Sequence, residues 1–271
     1  MPEISVALKG DGYDIPAVLS LPAKNGRYPA VILCHGTGSC KNEAGNMFSR
    51  LAKRLAGCRI ASCRFDFAGC GDSRADPEML TFYSELRDLE TVYDFVISHD
   101  NVDQNRIAVL GFSQGARVMA EFLGNDRPAV SAAVSWSGAC HNGIGVFKEW
   151  FSNYYGAACE NGYAVISLPW REDLILSKKW FDEIERSFPL NALARYKKPV
   201  LALAGEKDML VPCAHAFEIA KAGENKDSRV KIITGADHIF NVFDNNCDCS
   251  SDVISYTADW LRQILTDKNR Q

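Results

Sequence analysis

The chain of 271 residues is 47% hydrophobic and 24% charged, and its 30 basic and 34 acidic residues leave a formal net charge of −4. This composition is that of an ordinary globular protein, long enough to bury a full core in one domain. The charge argues against a nucleic-acid-binding surface, and no apolar run approaches the roughly 18 residues of a membrane span. We therefore expect neither nucleic acid nor membrane as a partner. Because the N-terminus lacks a basic segment followed by an apolar core, we expect a cytoplasmic protein.

The ten cysteines raise the question of disulfides or a metal site. No C-x-x-C pair occurs, and Cys247 and Cys249 have no histidine or second cysteine pair at zinc-ligand spacing nearby. Cys34, Cys58 and Cys63 fall within or beside predicted core strands, where a thiol behaves as a small hydrophobe. We therefore expect reduced thiols and no metal.

The predicted elements alternate between strands and helices after an opening hairpin. Apolar and polar residues alternate over 4–8 and 15–21 about a glycine turn, which predicts an antiparallel hairpin. The remaining predicted elements are strand 29–34, helix 42–56, strand 59–65, helix 79–98, strand 106–110, helix 114–123, strand 129–136, strand 199–204, strand 229–234 and helix 251–265. This order indicates an α/β fold with a mostly parallel central sheet covered by helices on both faces.

One connection is too long for this pattern. About sixty residues separate the strand ending at Trp136 from the strand starting at Pro199, far more than the usual α/β connection. The segment is rich in aromatic residues and contains one predicted helix, 177–186. We interpret it as an inserted lid, 137–198, on a catalytic domain formed by 1–136 and 199–271. Most of its aromatic side chains are expected to pack the insertion itself, while Tyr155 and Trp170 are candidates for binding substrate.

The stretch 107–119 contains the most informative motif. A strand of apolar residues enters Gly111-Phe112-Ser113-Gln114-Gly115 and continues as a helix, which is the G-x-S-x-G nucleophile elbow in its required context. A serine on such a turn adopts a strained backbone, and a side chain at either glycine would crowd the neighbouring strand and helix. The pattern alone would also fit an ordinary turn. With its flanking strand and helix, it makes Ser113 the candidate nucleophile.

A serine hydroxyl needs a base, and the base needs an orienting acid. The strand ending at 204 is followed by Asp208, and the strand ending at 234 by His238, so the chain order is serine, acid, histidine, as in α/β-hydrolases. In this assignment His238 accepts the Ser113 proton and Asp208 fixes the imidazole tautomer. Glu206 and Asp237 are the nearest rivals for the acid.

The other four histidines are poorer candidates for the base. His99 and His141 follow no predicted core strand, His215 falls in a predicted helical stretch, and His35 lies too close to the predicted oxyanion loop. That loop, 35–38, follows the first parallel strand and has the sequence HGTG, whose glycines allow close backbone approach. We expect the backbone N–H groups of Thr37 and Gln114 to bind the oxyanion.

The combination of HGTG, RFDFAGCGDS, GFSQG, GEKD and DH resembles the α/β-hydrolase superfamily over the whole chain except the insertion. The compact size, the N-terminal hairpin and an aromatic insertion ending in LSKKWFDEIERSFPL resemble bacterial cinnamoyl (feruloyl) esterases. The resemblance implies an α/β-hydrolase fold and hydrolysis of carboxylic esters whose aromatic acyl group binds between lid and catalytic domain. Those relatives often have HGF where this chain has HGT, a difference that falls on the acyl pocket rather than on a backbone donor.

The predicted function is therefore a serine carboxylesterase that acts on a small-molecule ester through an acyl-enzyme, without a metal or organic cofactor. A peptidase or acyl-peptide hydrolase of the prolyl-oligopeptidase type is the nearest alternative, although the chain has no room for the usual propeller. A thioesterase is a further alternative, because a sulfur leaving group leaves no mark on the triad. A ligand-binding homologue without activity is disfavoured, since all three triad residues are present. The oligomeric state stays open, with a homodimer among the options.

Overall fold

A computed structural model of the chain describes residues 1–125, 130–167 and 173–266. Within these ranges the strands are β1 (Glu3–Lys9), β2 (Asp14–Ser20), β3 (Tyr28–Cys34), β4 (Ala61–Phe65), β5 (Val102–Phe112), β6 (Val130–Trp136), β7 (Tyr163–Ile166), β8 (Leu174–Ser177), β9 (Val200–Gly205) and β10 (Arg229–Ile233). The helices are α1 (Met47–Gly57), α2 (Phe82–Ser98), α3 (Gln114–Gly124), α4 (Gly143–Val146), α5 (Lys148–Asn161), α6 (Lys178–Glu185), α7 (Pro189–Leu193), α8 (Ala214–Ala222) and α9 (Ser250–Thr266).

The central sheet has eight strands in the order β1-β2-β4-β3-β5-β6-β9-β10. β2 pairs antiparallel with both β1 and β4, and every other neighbouring pair in this sheet is parallel. Parallel neighbours need crossover connections, so the helices come to lie on the faces of the sheet. The predicted hairpin and the mostly parallel sheet are confirmed.

Strand β3 shows how the sheet is buried from both sides. All seven of its residues are buried, and alternate side chains enter different clusters because successive strand residues point to opposite faces. Val31 and Leu33 pack with α1 and α9, whereas Ile32 and Cys34 pack with α2 and α3. Because the two clusters cover both faces of the sheet, the loops lie at the ends of the strands.

Two helices begin later than the sequence predicts, for identifiable local reasons. The helix expected over 42–56 begins at Met47, because Gly45 and Asn46 adopt left-handed φ values of 54° and 56° in a short 3₁₀ turn. The helix expected over 79–98 begins at Phe82, where the Thr81 side chain caps the first turn. Residue 129, the expected start of the next strand, lies outside the described residues.

The segment between β6 and β9 has more regular structure than predicted. The predicted helix 177–186 is confirmed as α6, but α5 and the antiparallel pair β7 and β8 were not predicted. Its buried residues, among them Trp180 and Phe181, join the cluster on the α2 and α3 face of the sheet. The segment is thus packed onto the sheet's helical layer. In the described ranges no helix is long and apolar enough to cross a bilayer.

Candidate active site

Ser113 lies on the sharp turn between β5 and α3 with φ 51° and ψ −114°, a strained conformation for a residue with a side chain. The two glycines of the motif are required by contact. A Cβ atom at Gly111 would lie 2.4 Å from the Gly115 carbonyl oxygen, and one at Gly115 would lie 2.3 Å from the Cys34 carbonyl oxygen. Both positions therefore exclude any larger residue, and the turn has the geometry of a nucleophile elbow.

The structure brings the three predicted residues into one hydrogen-bonded chain. The Ser113 Oγ lies 3.0 Å from His238 Nε2, and His238 Nδ1 lies 2.7 Å from Asp208 Oδ2. The other carboxylate oxygen of Asp208 accepts hydrogen bonds from the backbone N–H groups of Leu210 and Val211, at 2.9 and 2.8 Å. The Asp208 side chain is fully buried, whereas that of His238 retains 13% of its exposure. The acid is therefore fixed on both oxygens, and the imidazole remains accessible to solvent.

Sheet topology explains how residues so distant in sequence meet. Ser113, Asp208 and His238 follow β5, β9 and β10, and parallel strands bring their carboxyl ends to one edge of the sheet. The rival acids make local contacts instead. The Glu206 carboxylate accepts the Gly235 N–H at 2.8 Å, and Asp237 accepts backbone N–H groups of its own loop. Both rivals therefore act within the loops that present the predicted acid and base.

The loop after β3 lies against the nucleophile. A Cβ atom at Gly36 would lie 3.5 Å from the Cβ of Ser113, so the backbone that includes Thr37 runs beside the serine. Gln114 is the first residue of α3, where a backbone N–H has no partner within the helix. The two predicted donors thus lie on segments that border Ser113. The positive end of the helix also favours negative charge at this point.

Buried groups that the sequence analysis did not single out hold this loop in place. The Glu43 carboxylate accepts the Gly36 N–H at 2.8 Å, the Ser39 hydroxyl at 2.7 Å and the Ala44 N–H at 2.9 Å. Glu43 has φ 58° and ψ 171°, a region almost restricted to glycine. The sequence did not indicate the hydrogen bond between Gly36 and Glu43, because this hydrogen bond depends on the strained backbone at Glu43.

His35 is a second support of the loop rather than a base. Its Nδ1 lies 2.7 Å from the Gly36 carbonyl oxygen, and its Nε2 accepts the Phe67 N–H at 3.1 Å. Burial lowers the pKa of the fully buried imidazole, which keeps the ring neutral. His35 therefore links the loop after β3 to the loop after β4.

Cys140, His141 and His215 form a further group, whose ligand-type atoms lie within 4.8 Å of one another. The His215 Nδ1 accepts the Cys140 backbone N–H at 3.0 Å, and the His141 Nε2 lies 2.9 Å from a Glu218 carboxylate oxygen. Burial, followed by the charge of His141, lowers the pKa of His215 to about 4. The neutral ring therefore carries its proton on Nε2 and uses the lone pair of Nδ1 to accept the Cys140 N–H, so these contacts connect the loop after β6 to α8.

The two predicted substrate-binding residues have different outcomes. Trp170 lies outside the described residues. The Tyr155 hydroxyl donates to Asp182 Oδ1 at 3.0 Å, and its ring packs beside Phe151 and Phe181 with centroid separations of 5.6 and 5.7 Å. Tyr155 therefore belongs to the aromatic packing of the segment between β6 and β9, and a role in binding substrate stays a prediction.

Comparison with known proteins defines the class. A family model described as alpha/beta hydrolase fold matches residues 29–168, more than half of the chain. The chain therefore belongs to the alpha/beta hydrolase fold family, as its motifs predicted.

The solved structures that share this fold have low sequence identity to the chain. Est1E from Butyrivibrio proteoclasticus, solved with ferulic acid bound, superposes with a TM-score of 0.77 at 21% identity, over 93% of this chain and 97% of that one. The esterase domain of a Rhodothermus marinus protein superposes with a TM-score of 0.71 at 18% identity, over 98% of this chain and 100% of that one. At these identities the likeness is one of fold.

Relatives were also found by sequence, and two of them are as follows. Acylamino-acid-releasing enzyme 1 of Oryza sativa subsp. japonica is 25% identical over 154 residues, which are 55% of this chain but 19% of that protein. The quorum-quenching protein AidA of Acinetobacter baumannii is 26% identical over 129 residues, 46% of this chain and 41% of that protein. The chain thus spans about a fifth of the length of the first relative and two fifths of the second.

Proposed function

We propose that this protein is a serine hydrolase that cleaves small carboxylic esters through an acyl-enzyme. The observation that carries the proposal is the hydrogen-bonded chain from Ser113 Oγ through His238 to Asp208, with separations of 3.0 and 2.7 Å. Serine, histidine and aspartate in this arrangement activate a hydroxyl at neutral pH. The loop after β3, which lies beside Ser113, supports the proposal as a place where an oxyanion could be bound.

In the first half of the proposed reaction, Ser113 Oγ attacks the ester carbonyl carbon while its proton passes to His238 Nε2. The carbonyl π electrons move to oxygen, and the resulting oxyanion accepts hydrogen bonds from the Thr37 and Gln114 N–H groups. The C–O bond to the alcohol then breaks, and His238 returns the proton to the leaving oxygen. Acyl-Ser113 and the free alcohol remain.

In the second half, water repeats the attack. His238 Nε2 takes a proton from the water while the water oxygen bonds to the acyl carbon. The N–H groups of Thr37 and Gln114 again bind the oxyanion. Collapse breaks the acyl bond to Ser113 and returns the proton to its Oγ, which releases the carboxylic acid. Asp208 keeps the Nδ1 proton facing its own Oδ2 throughout and stabilises the imidazolium. The chain's own side chains and N–H groups carry each step, so the proposed reaction needs no metal or organic cofactor.

We further propose an aromatic acyl group of the cinnamoyl or feruloyl type, with the segment 137–198 as the lid that contacts it. Two observations support this assignment. Est1E, whose structure was solved with ferulic acid, shares the fold over nearly the whole chain. The segment also presents aromatic rings at its partly buried positions, Phe147, Trp150, Phe151, Tyr154 and Tyr155, and aromatic surfaces favour stacking with a planar acyl group.

An acyl-peptide hydrolase is the second candidate, because the match to acylamino-acid-releasing enzyme 1 covers 154 residues of this chain. A thioesterase uses the same groups and differs only in the leaving atom. We also propose a cytoplasmic location, supported by ten cysteines that are all free thiols in the structure.

The function is tested by hydrolysis of methyl ferulate, p-nitrophenyl acetate, an acetyl-aminoacyl p-nitroanilide and a feruloyl thioester. The variants are the wild type, Ser113→Ala and Ser131→Ala, a control serine on β6 whose hydroxyl donates to the Asn105 carbonyl oxygen. We expect ester cleavage that is best with ferulate and is lost in Ser113→Ala alone. Cleavage restricted to the anilide or to the thioester would replace the proposal by the corresponding alternative. Full activity of Ser113→Ala would overturn the mechanism.

A further inference from the structure

Behind the nucleophile, the side chain of Gln114 meets a buried acid. Gln114 Nε2 donates to Glu85 Oε2 of α2 at 3.0 Å. Glu85 is fully buried and Gln114 retains 1% of its exposure. The remaining oxygens, Glu85 Oε1 and Gln114 Oε1, are both buried and have no hydrogen-bond partner among the described residues. Two adjoining residues thus carry two unsatisfied acceptors next to the proposed active site.

One proton accounts for both of these oxygens. An ionised carboxylate and an amide oxygen are both acceptors only, so neither can satisfy the other. A carboxylic acid, in contrast, offers a donor and an acceptor on the same edge, as a primary amide does. If Glu85 Oε1 carries a proton, it donates to Gln114 Oε1 while Oε2 accepts the amide N–H. This arrangement removes the cost of leaving a buried charge with a single hydrogen bond.

The charges that face Glu85 favour the same state. Burial is the main cause that raises the pKa of Glu85 to about 8; the hydrogen bond from the Gln114 amide lowers this pKa, and the negative charges of Asp88 and Glu183 raise it. Arg117 of α3 acts in the opposite direction, but its guanidinium donates to the Ala139 carbonyl oxygen rather than to Glu85. Acids from α2 and α6 therefore outweigh the one cation from α3.

We propose that Glu85 is a positioning residue held as a neutral carboxylic acid, and that its pair with the Gln114 amide fixes the first turn of α3. The inference rests on the proposed function, because that turn presents the Gln114 backbone N–H to the oxyanion. Loss of the proton places a carboxylate oxygen against the amide oxygen of Gln114 and drives the side chain away. Activity then falls at alkaline pH even though the nucleophile and base are intact.

The first test is stability against pH, using Glu85→Gln, which keeps the shape and the neutral pair. Glu85 binds its proton in the folded state up to about pH 8 but loses it near its ordinary value of 4.5 when unfolded. The folded wild type therefore loses stability as pH rises between these values, and Glu85→Gln does not. We expect the difference in Tm, variant minus wild type, to increase with pH over this window and to level off above it. The control Asp94→Asn, an exposed carboxyl on α2, should show no such trend.

A falling or flat difference in Tm would mean that Glu85 is ionised in the fold, which overturns the inference. The infrared carbonyl band of protonated carboxyl groups gives a second measurement that needs only the wild type. We expect a band that persists at pH 7 and titrates near pH 8, distinct from that of Asp88, whose pKa burial raises to about 6. Absence of any carboxylic acid band at pH 7 would also overturn it, even if Glu85→Gln does not fold. Both readouts are independent of whether the chain hydrolyses esters.

The positioning role is tested by kcat and KM for p-nitrophenyl acetate between pH 6 and 10. We expect kcat of the wild type to fall as Glu85 ionises, with KM unchanged, and kcat of Glu85→Gln to remain level over the same range. An identical alkaline fall in both proteins would show that the pair does not position the oxyanion donor. If no ester is cleaved by either, phosphonate labelling of Ser113 over the same pH range replaces turnover as the readout.

Discussion

The edge of the sheet that carries Ser113 and the segment 137–198 are held together by different forces. At the sheet edge, each group is fixed by directional hydrogen bonds, of which the buried Asp208 carboxylate alone accepts three. In the described part of the segment, aromatic rings pack against one another, with Trp180 lying 5.0 Å from Phe147 and 5.1 Å from Phe181 between ring centroids. Hydrogen bonds demand particular atoms at particular distances, whereas apolar packing tolerates exchange of residues of similar volume.

This difference determines which side chains can be exchanged in each region. A chain can exchange apolar side chains of similar volume at a modest cost in stability, but we expect it to lose the proposed reaction when Ser113, His238 or Asp208 is replaced. We therefore expect the proposed chemistry to depend on few residues, and the proposed acyl selectivity to depend on many. The following variants separate the two regions.

Asp208→Asn should have the largest effect, because an amide favours the wrong tautomer of His238. We expect kcat for p-nitrophenyl acetate to fall by roughly 10³ to 10⁴, with little change in KM. Glu206→Gln is the matched control, since its amide oxygen still accepts the Gly235 N–H that the carboxylate accepts now. A comparable fall in kcat in both variants would contradict the proposed role of Asp208.

Glu43→Ala should have the next largest effect, because the Gly36 N–H loses its acceptor and the loop beside Ser113 loosens. We expect kcat to fall by about 10², with KM within a few-fold of the wild type. Ser39→Ala removes a different hydrogen bond to the same carboxylate and serves as the control.

A second variant, Glu43→Gly, separates the effect on loop geometry from the effect on thermal stability. Glycine adopts φ 58° without strain, so this variant should unfold at a higher temperature than Glu43→Ala and be equally slow. If activity follows thermal stability across the two variants, Glu43 supports the fold rather than the loop geometry.

These contacts mark the limit of what the sequence could predict. The hydrogen-bonded group of Ser113, His238 and Asp208 could be predicted because strand ends and short motifs are readable along the chain. Glu43 and Glu85 could not, since their contacts depend on a rare backbone conformation and on the packing of α2 against α3. The helix α5 was missed although the sequence carried its signal, because Trp150, Phe151, Tyr154 and Tyr155 continue from Phe147 with the i, i+3, i+4, i+7, i+8 spacing of one helical face.

Trp180→Ala tests the other region. Its side chain is fully buried, so we expect a loss of roughly 3 to 5 kcal/mol in the free energy of unfolding, measured with urea. The KM for methyl ferulate should rise about 10-fold, while kcat for p-nitrophenyl acetate changes little. Trp180→Phe should cost less, because the indole Nε1 has no hydrogen-bond partner in the described residues. A parallel loss of both activities would show that the two regions are not separable.

His215 joins the two regions and should have the smallest effect. Its folded pKa of about 4 lies below its ordinary value of 6.5, so its contribution to stability is present above pH 6.5 and is lost as pH falls toward 4. Besides burial, His141 and Arg117 act in this direction, while Glu218 and Asp208 oppose it. We expect the Tm of the wild type to fall more between pH 7 and 5 than that of His215→Asn. An equal fall in Tm in both proteins would show that a different histidine causes the loss of stability at acid pH.

The separation of Ser113 and His238 along the chain, 125 positions, also bears on biosynthesis. The elbow and the loop after β3 lie in the first half of the chain, whereas the base follows β10, the last strand described. At ordinary rates of translation, His238 follows Ser113 out of the ribosome by roughly 6 to 25 seconds. On the proposed mechanism, the nascent chain carries Ser113 without its base during that interval, so we expect the emerging polypeptide to resist acylation until His238 has been made.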